Sequence, residues 1–219
     1  MDSSASARRF RTEIRFGLAL AVATASAGLW WPSLGRWLGD EAGPVEQLAA
    51  ALWLVCGLHI LWMQRPSRVA AWALAVLCIG LAVREHGLPP EWIPSGKALT
   101  RWSHYTDPSL PLAQRWIEGL LVLGFVLAAV LSAWQSLLFV VRYRGWGLAG
   151  GRVLIAAVVA LGVAQGLENR LGESGVLLEE ILECLGAGWL WLSVRMTWPL
   201  WSSAAPERLA PEASRGWSG

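Results

Sequence analysis

Glu179, Glu180 and Glu183 sit in the first half of an apolar stretch, residues 175–194, that is otherwise of membrane-spanning length. A charged carboxylate at the centre of a spanning helix costs about 2.5–3.5 kcal/mol on insertion scales, and less toward the interface. Such residues face a protein interior or a wet cavity, where they are paired or protonated. On a helix, Glu179 and Glu183 are separated by i,i+4 and Glu180 and Glu183 by i,i+3, so Glu183 can neighbour either of the other two. Their titrations are then coupled. The start of a helix favours negative charge through its dipole. The chemistry open to this cluster is cation or metal binding, proton transfer, or ion pairing.

Its partners are expected on the same side of the membrane. Arg84, Glu85 and His86 close another apolar stretch, and the loop that follows holds Lys97, Arg101 and His104. If 95–105 is a short helix, Lys97, Arg101 and His104 share one face, with Ser95 placed to cap it. A basic face over an acidic pocket neutralises both. The candidate ligand-binding set is therefore Arg84, Glu85, His86, Lys97, Arg101, Glu179, Glu180 and Glu183. His86, His104, Glu180 and Glu183 are suitable ligand types for a metal, though their spacing matches no diagnostic pattern. Lys97 and Arg101 suit a phosphate or lipid headgroup. A purely structural role stays open beside these: Arg84, Lys97 or Arg101 paired with Glu180 or Glu183 would hold the loop on the bundle. Ser103, His104 and Asp107 are near in sequence, but adjacency is not catalytic geometry. His59 is the single histidine deep in an apolar stretch and reads as a core residue rather than a haem ligand. No cofactor is assigned by the sequence.

The elements that must position these residues are membrane helices. The chain has 219 residues, of which 55% are hydrophobic and only 16% charged, against about a quarter charged in ordinary soluble domains. A net charge of +2 does not suggest nucleic acid as a partner. Sixteen Trp against four Phe and two Tyr fits a residue that favours the membrane–water boundary. Cys56, Cys78 and Cys184 all lie in apolar stretches and read as small buried hydrophobes. Hydropathy and Pro placement predict six spans, at 16–31, 45–63, 69–82, 117–141, 153–167 and 176–194, the third and fifth with short apolar cores. Backbone hydrogen bonding inside lipid requires these spans to be helices. The organisation expected is a basic tail at 1–15, a six-span domain at 16–195 with an outer loop at 85–115, and a second tail at 196–219.

With the N-terminus inside, Arg8, Arg9, Arg11, Arg15, Arg65, Arg68, Arg142, Arg144, Arg152, Arg195, Arg208 and Arg215 are cytoplasmic. Arg36, Arg84, Lys97, Arg101, Arg115 and Arg170 are then outside. This bias places both termini in the cytoplasm. Nearly all acidic residues fall at or near the outer face; Asp2, Glu13, Glu207 and Glu212 are the inner exceptions. Residues 16–27 also have the form of a signal peptide ending in Ala25-Ser26-Ala27, but Trp30-Trp31-Pro32 favours an uncleaved anchor.

Four features carry a family resemblance: the acid-led second span (Asp40 to Glu46), Arg84-Glu85, Gly96-Lys97 with Arg101-Trp102-Ser103-His104-Tyr105, and Leu178-Glu179-Glu180-Ile181-Leu182-Glu183 before a Gly/Ala-rich helix. Over residues 38–195 the chain resembles a set of uncharacterised bacterial multi-span inner-membrane proteins with an Arg-Glu pair, a Lys-containing outer loop and a Glu-Glu-x-x-Glu last helix. In this chain His86 follows the Arg-Glu pair. The resemblance implies a bacterial inner membrane and an outer-facing polar cluster, and no activity.

The expectation is an all-α, polytopic transmembrane bundle of about six spans with both termini cytoplasmic. Its periplasm-facing pocket would bind a small polar ligand, a lipid headgroup or a membrane-protein partner, among ordinary membrane lipids. Two alternatives are a membrane-embedded metal-dependent enzyme with His/Glu ligands and a proton- or cation-coupled transporter. Six short spans are few for one transporter protomer, so the last predicts a homo-oligomer.

Overall fold

A computed structural model describes residues 3–40, 43–63, 69–86, 105–106, 109–141, 144–171 and 176–202. Within them the chain is helical with no strand. The helices are α1 (Ser3–Trp30), α2 (Pro32–Leu38), α3 (Pro44–Met63), α4 (Val69–His86), α5 (Leu112–Val141), α6 (Ala149–Leu171) and α7 (Val176–Ser202), with a 3-10 turn at Gly145–Gly147. Helix α1 starts at Ser3, inside the segment expected to be a tail, because Ser, Ala and Arg at 3–11 offer no breaker. It stops where Pro32 withholds a backbone N–H; Trp31 is extended and α2 restarts with Pro32 at its first position.

Two helices organise the rest. α3 packs along α4 and along α7, and α7 also packs against α6 and α1. The core follows this arrangement: Trp53, Cys56 and Ile60 of α3 meet Leu74, Ala75 and Cys78 of α4, and Ala187 and Leu190 of α7 join from the other side. Small residues set the spacing. A Cβ on Gly57 would lie 2.8 Å from Ile79 Cγ1, and one on Gly186 would lie 2.6 Å from Leu161 Cδ2. Close approach through small residues is how helices associate where lipid is the alternative neighbour. Ser193 Oγ adds a buried hydrogen bond from α7 to the Gly150 carbonyl of α6 at 2.8 Å.

Helix α5 packs mainly on α4. It has the highest mean hydropathy among the candidate spans, 2.1, yet only 17% of its apolar window is buried. Leu120, Leu121, Val130 and Leu137 all face outward. A helix that apolar and that exposed has no stable place in water. Among the described residues, three helices are long and apolar enough to cross a membrane: Pro44–Met63, Leu112–Val141 and Ala149–Leu167. They coincide with the second, fourth and fifth expected spans. The first, third and sixth form helices too, but α1, α4 and α7 are not among the three. Arginines in the first half of α1 and the three glutamates of α7 dilute their apolar runs.

Candidate functional site

The last turn of α4 and the second turn of α7 come together beside α3. α4 and α7 both pack along α3 and make little contact with each other, so their polar ends are joined by side chains. Arg84 is the bridge. Its Nη2 donates to Glu183 Oε1 at 3.0 Å and to Oε2 at 3.3 Å, across 99 positions of sequence. Its Nε donates to the adjacent Glu85 Oε1 at 2.9 Å. The guanidinium side chain is 53% exposed, whereas the carboxylate side chains of Glu85 and Glu183 are 6% and 9% exposed. A half-exposed cation thus caps two buried anions.

Glu180 completes the group. One oxygen from each of Glu85, Glu180 and Glu183 lies within 4.8 Å of the others. Glu180 Oε2 is buried and has no hydrogen-bond partner among the described residues. Glu46, in the first turn of α3, and Glu179 add to the negative field at Glu180. Three carboxylates therefore stand beside one guanidinium, which bonds two of them. If all three were ionised, two negative charges would be uncompensated among the described residues. A desolvated group responds to that by taking a proton or drawing in a cation.

The donor set decides which metal the group could hold. Three carboxylate oxygens are hard ligands, suited to Mg²⁺, Ca²⁺ or Mn²⁺ rather than to a thiolate- or imidazole-seeking ion. Oxygens on opposite sides of a Ca²⁺ ion stand about 4.6–5.2 Å apart, from metal–oxygen distances of 2.3–2.6 Å. No two of the three cluster oxygens stand more than 4.8 Å apart, so all lie within reach of one ion.

The structure thus brings four of the sequence-derived candidates together: Arg84, Glu85, Glu180 and Glu183. Glu179 is half-buried one position before the trio and is not one of the three. Lys97, Arg101 and His104 lie outside the described residues, as does the side chain of His86. The proposed capping helix at 95–105 falls there as well. His59 is half-buried, its ring edge-on to Trp191 with centroids 6.3 Å apart and planes at 84°. His59 Nε2 and Trp191 Nε1 are both buried without a hydrogen-bond partner among the described residues.

A second polar arrangement was not anticipated. Glu118, expected only as one more outer acid, is buried on α5, where Gln114 Nε2 donates to its Oε1 at 2.8 Å. Tyr105 packs beside Gly119, and its carbonyl accepts from Arg115 Nη1 at 3.4 Å. Burial, and then the charge of Glu118, push the Tyr105 phenol above its ordinary range. This arrangement ties Tyr105 to the first turns of α5. The i,i+4 spacing of Gln114 and Glu118 was the signal that could have revealed it.

No known protein family, curated protein or solved structure matches this chain.

Proposed function

We propose that the chain is a multi-pass protein of the bacterial inner membrane, with six spans and both termini cytoplasmic, and that the α4–α7 cluster binds one further positive charge from the periplasmic side. Its role on this reading is binding rather than catalysis. The observation that carries it is the buried, unpartnered Oε2 of Glu180 beside two carboxylates already sharing one arginine. A buried acceptor without a partner costs about 1–3 kcal/mol, and more when charged. A proton or a hard divalent cation removes that cost, and Arg84, half open to solvent, stands at the entrance. The same chemistry would serve a cation-coupled transporter, in which the cluster is the coupling site and several protomers form the path.

Native mass spectrometry of the intact protein, with Mg²⁺, Ca²⁺ or Mn²⁺ supplied and then removed by chelator, tests the metal form. A stoichiometric adduct that disappears in Glu180→Gln supports it. Infrared difference spectroscopy tests the proton form, which requires a protonated-carboxyl band that the same substitution deletes. Absence of both, with Glu180→Gln indistinguishable from wild type, would overturn the proposal.

A further inference from the structure

A second feature runs along α7 from the level of Ile181 to Arg195 and uses none of the three cluster carboxylates. α1, α3 and α7 enclose a groove of about 660 Å³, open on one side, with walls that are almost wholly apolar: Phe16 and Leu20 of α1, Leu48 and Leu52 of α3, Leu185 and Leu192 of α7. The helices are aligned so that the groove has a direction. Gly17 of α1 faces Leu185 and Trp189, and Gly28 faces Leu177, so α1 and α7 are antiparallel; Leu52 meets Gly188, at a matching depth of α3. One end of the groove therefore lies near Val45 and Ile181, and the other near Thr12, Glu13 and Arg195.

We propose that this groove holds an acyl chain of an anionic phospholipid, with the phosphate at Arg195. From Ile181 to Arg195 the helix rises about 21 Å at 1.5 Å per residue. That exceeds the roughly 15 Å depth of one leaflet, half of a hydrocarbon core about 30 Å thick. An apolar groove of that length suits a hydrocarbon chain. Charge selects the headgroup. Arg195 is exposed at the mouth, and Arg11 and Arg15 are exposed on the facing turns of α1, against the single Glu13 that also lines this end. Basic residues at this level attract the phosphate of an anionic lipid. The leaflet is the one on the side of the chain's N-terminus.

The test uses the full chain in mild detergent, with phosphatidylglycerol and phosphatidylcholine of the same acyl length as probes. Native mass spectrometry should show one retained phosphatidylglycerol, and the preference over phosphatidylcholine should fall about fivefold in Arg195→Gln, the equivalent of the roughly 1 kcal/mol that one basic residue contributes near an anionic surface. Gly17→Leu and Gly188→Leu should each expel the lipid. A Cβ at these positions meets nothing closer than 3.6 Å and 3.8 Å respectively, an ordinary van der Waals contact, and the atoms beyond it take up groove space. A phosphatidylglycerol carrying a diazirine on its acyl chain should crosslink wild-type protein at the groove walls of α1, α3 and α7. Three results would overturn the proposal: crosslinks confined to the outer face of α5, equal retention of both lipids, or a retained lipid in both glycine variants. Because the crosslinking is done on wild-type protein, a variant that fails to fold does not decide the outcome.

Discussion

At the scale of single residues, Arg84 is the centre of the α4–α7 cluster because it is the only described cation bonded to both Glu85 and Glu183. The helix-to-helix pair and the neighbouring pair compete for the same guanidinium, so the three side chains should not behave additively. Interhelical polar contacts in membrane proteins are worth about 0.6 kcal/mol on average and about 1.7 kcal/mol at most. Removing one partner from a buried pair costs more, about 3–5 kcal/mol, because an unpaired charge is left behind. With Arg84 half exposed, Arg84→Gln should destabilise by an amount between these limits, about 2 kcal/mol. Glu183→Gln should cost less, because it removes a negative charge from a cluster with too many. The double variant should then lose less than the two singles together. Denaturation in detergent of the four proteins measures this, and strict additivity would show that the Arg84–Glu183 bond is not formed. Glu180→Gln should differ in sign: with no partner to lose and a like charge removed, it should leave stability unchanged or raise it.

At the scale of helices, close packing separates glycines that matter from those that do not. Gly186 faces Leu161 across the α6–α7 contact, and the added atoms of a leucine would collide with it. Gly124 on α5 and Gly162 on α6 have nothing within 4 Å of a Cβ. Overpacking a close helix contact costs about 1–3 kcal/mol. Gly186→Leu should therefore lower the unfolding midpoint clearly, whereas Gly124→Leu should leave it unchanged or raise it slightly through helix propensity. Equal effects of the two would mean that α6 and α7 do not meet at this point. The same comparison explains why α7 can carry glutamates at one end. Its second half is fixed by Gly186, Ala187 and Ser193 against α3 and α6, so its first half can present polar groups without losing its place.

At the scale of the whole molecule, the outward apolar face of α5 and the apolar groove beside α1 have the same physical origin: both are surfaces for which lipid is the better solvent. Topology is the corresponding prediction. Reporter fusions at residues 1 and 219 should both read as cytoplasmic, and a cysteine placed at Leu121 should react with a lipid-soluble maleimide and resist a water-soluble one. Periplasmic signal from the N-terminus would reverse the side assigned to Arg84, and with it the compartment that supplies the cation.

Much of this was legible along the chain. Apolar length and the placement of prolines predict helices at the right positions, since a backbone in lipid has no other way to satisfy its hydrogen bonds. The i,i+3 spacing of Glu180 and Glu183 put both on one face before any neighbour was known. The choice of partner was not legible. Arg84, Lys97 and Arg101 were equal candidates in sequence; of these Arg84 is the one among the described residues, and its bond to Glu183 depends on α3 holding the end of α4 beside α7, a contact between residues 99 positions apart. Which apolar residues line a groove and which face lipid was equally hidden, because Leu48 and Leu121 are alike in composition and differ only in what packs around them. Local periodicity is written in the order of residues, whereas charge pairing and cavity shape arise between segments, where only the tertiary arrangement sets the distances.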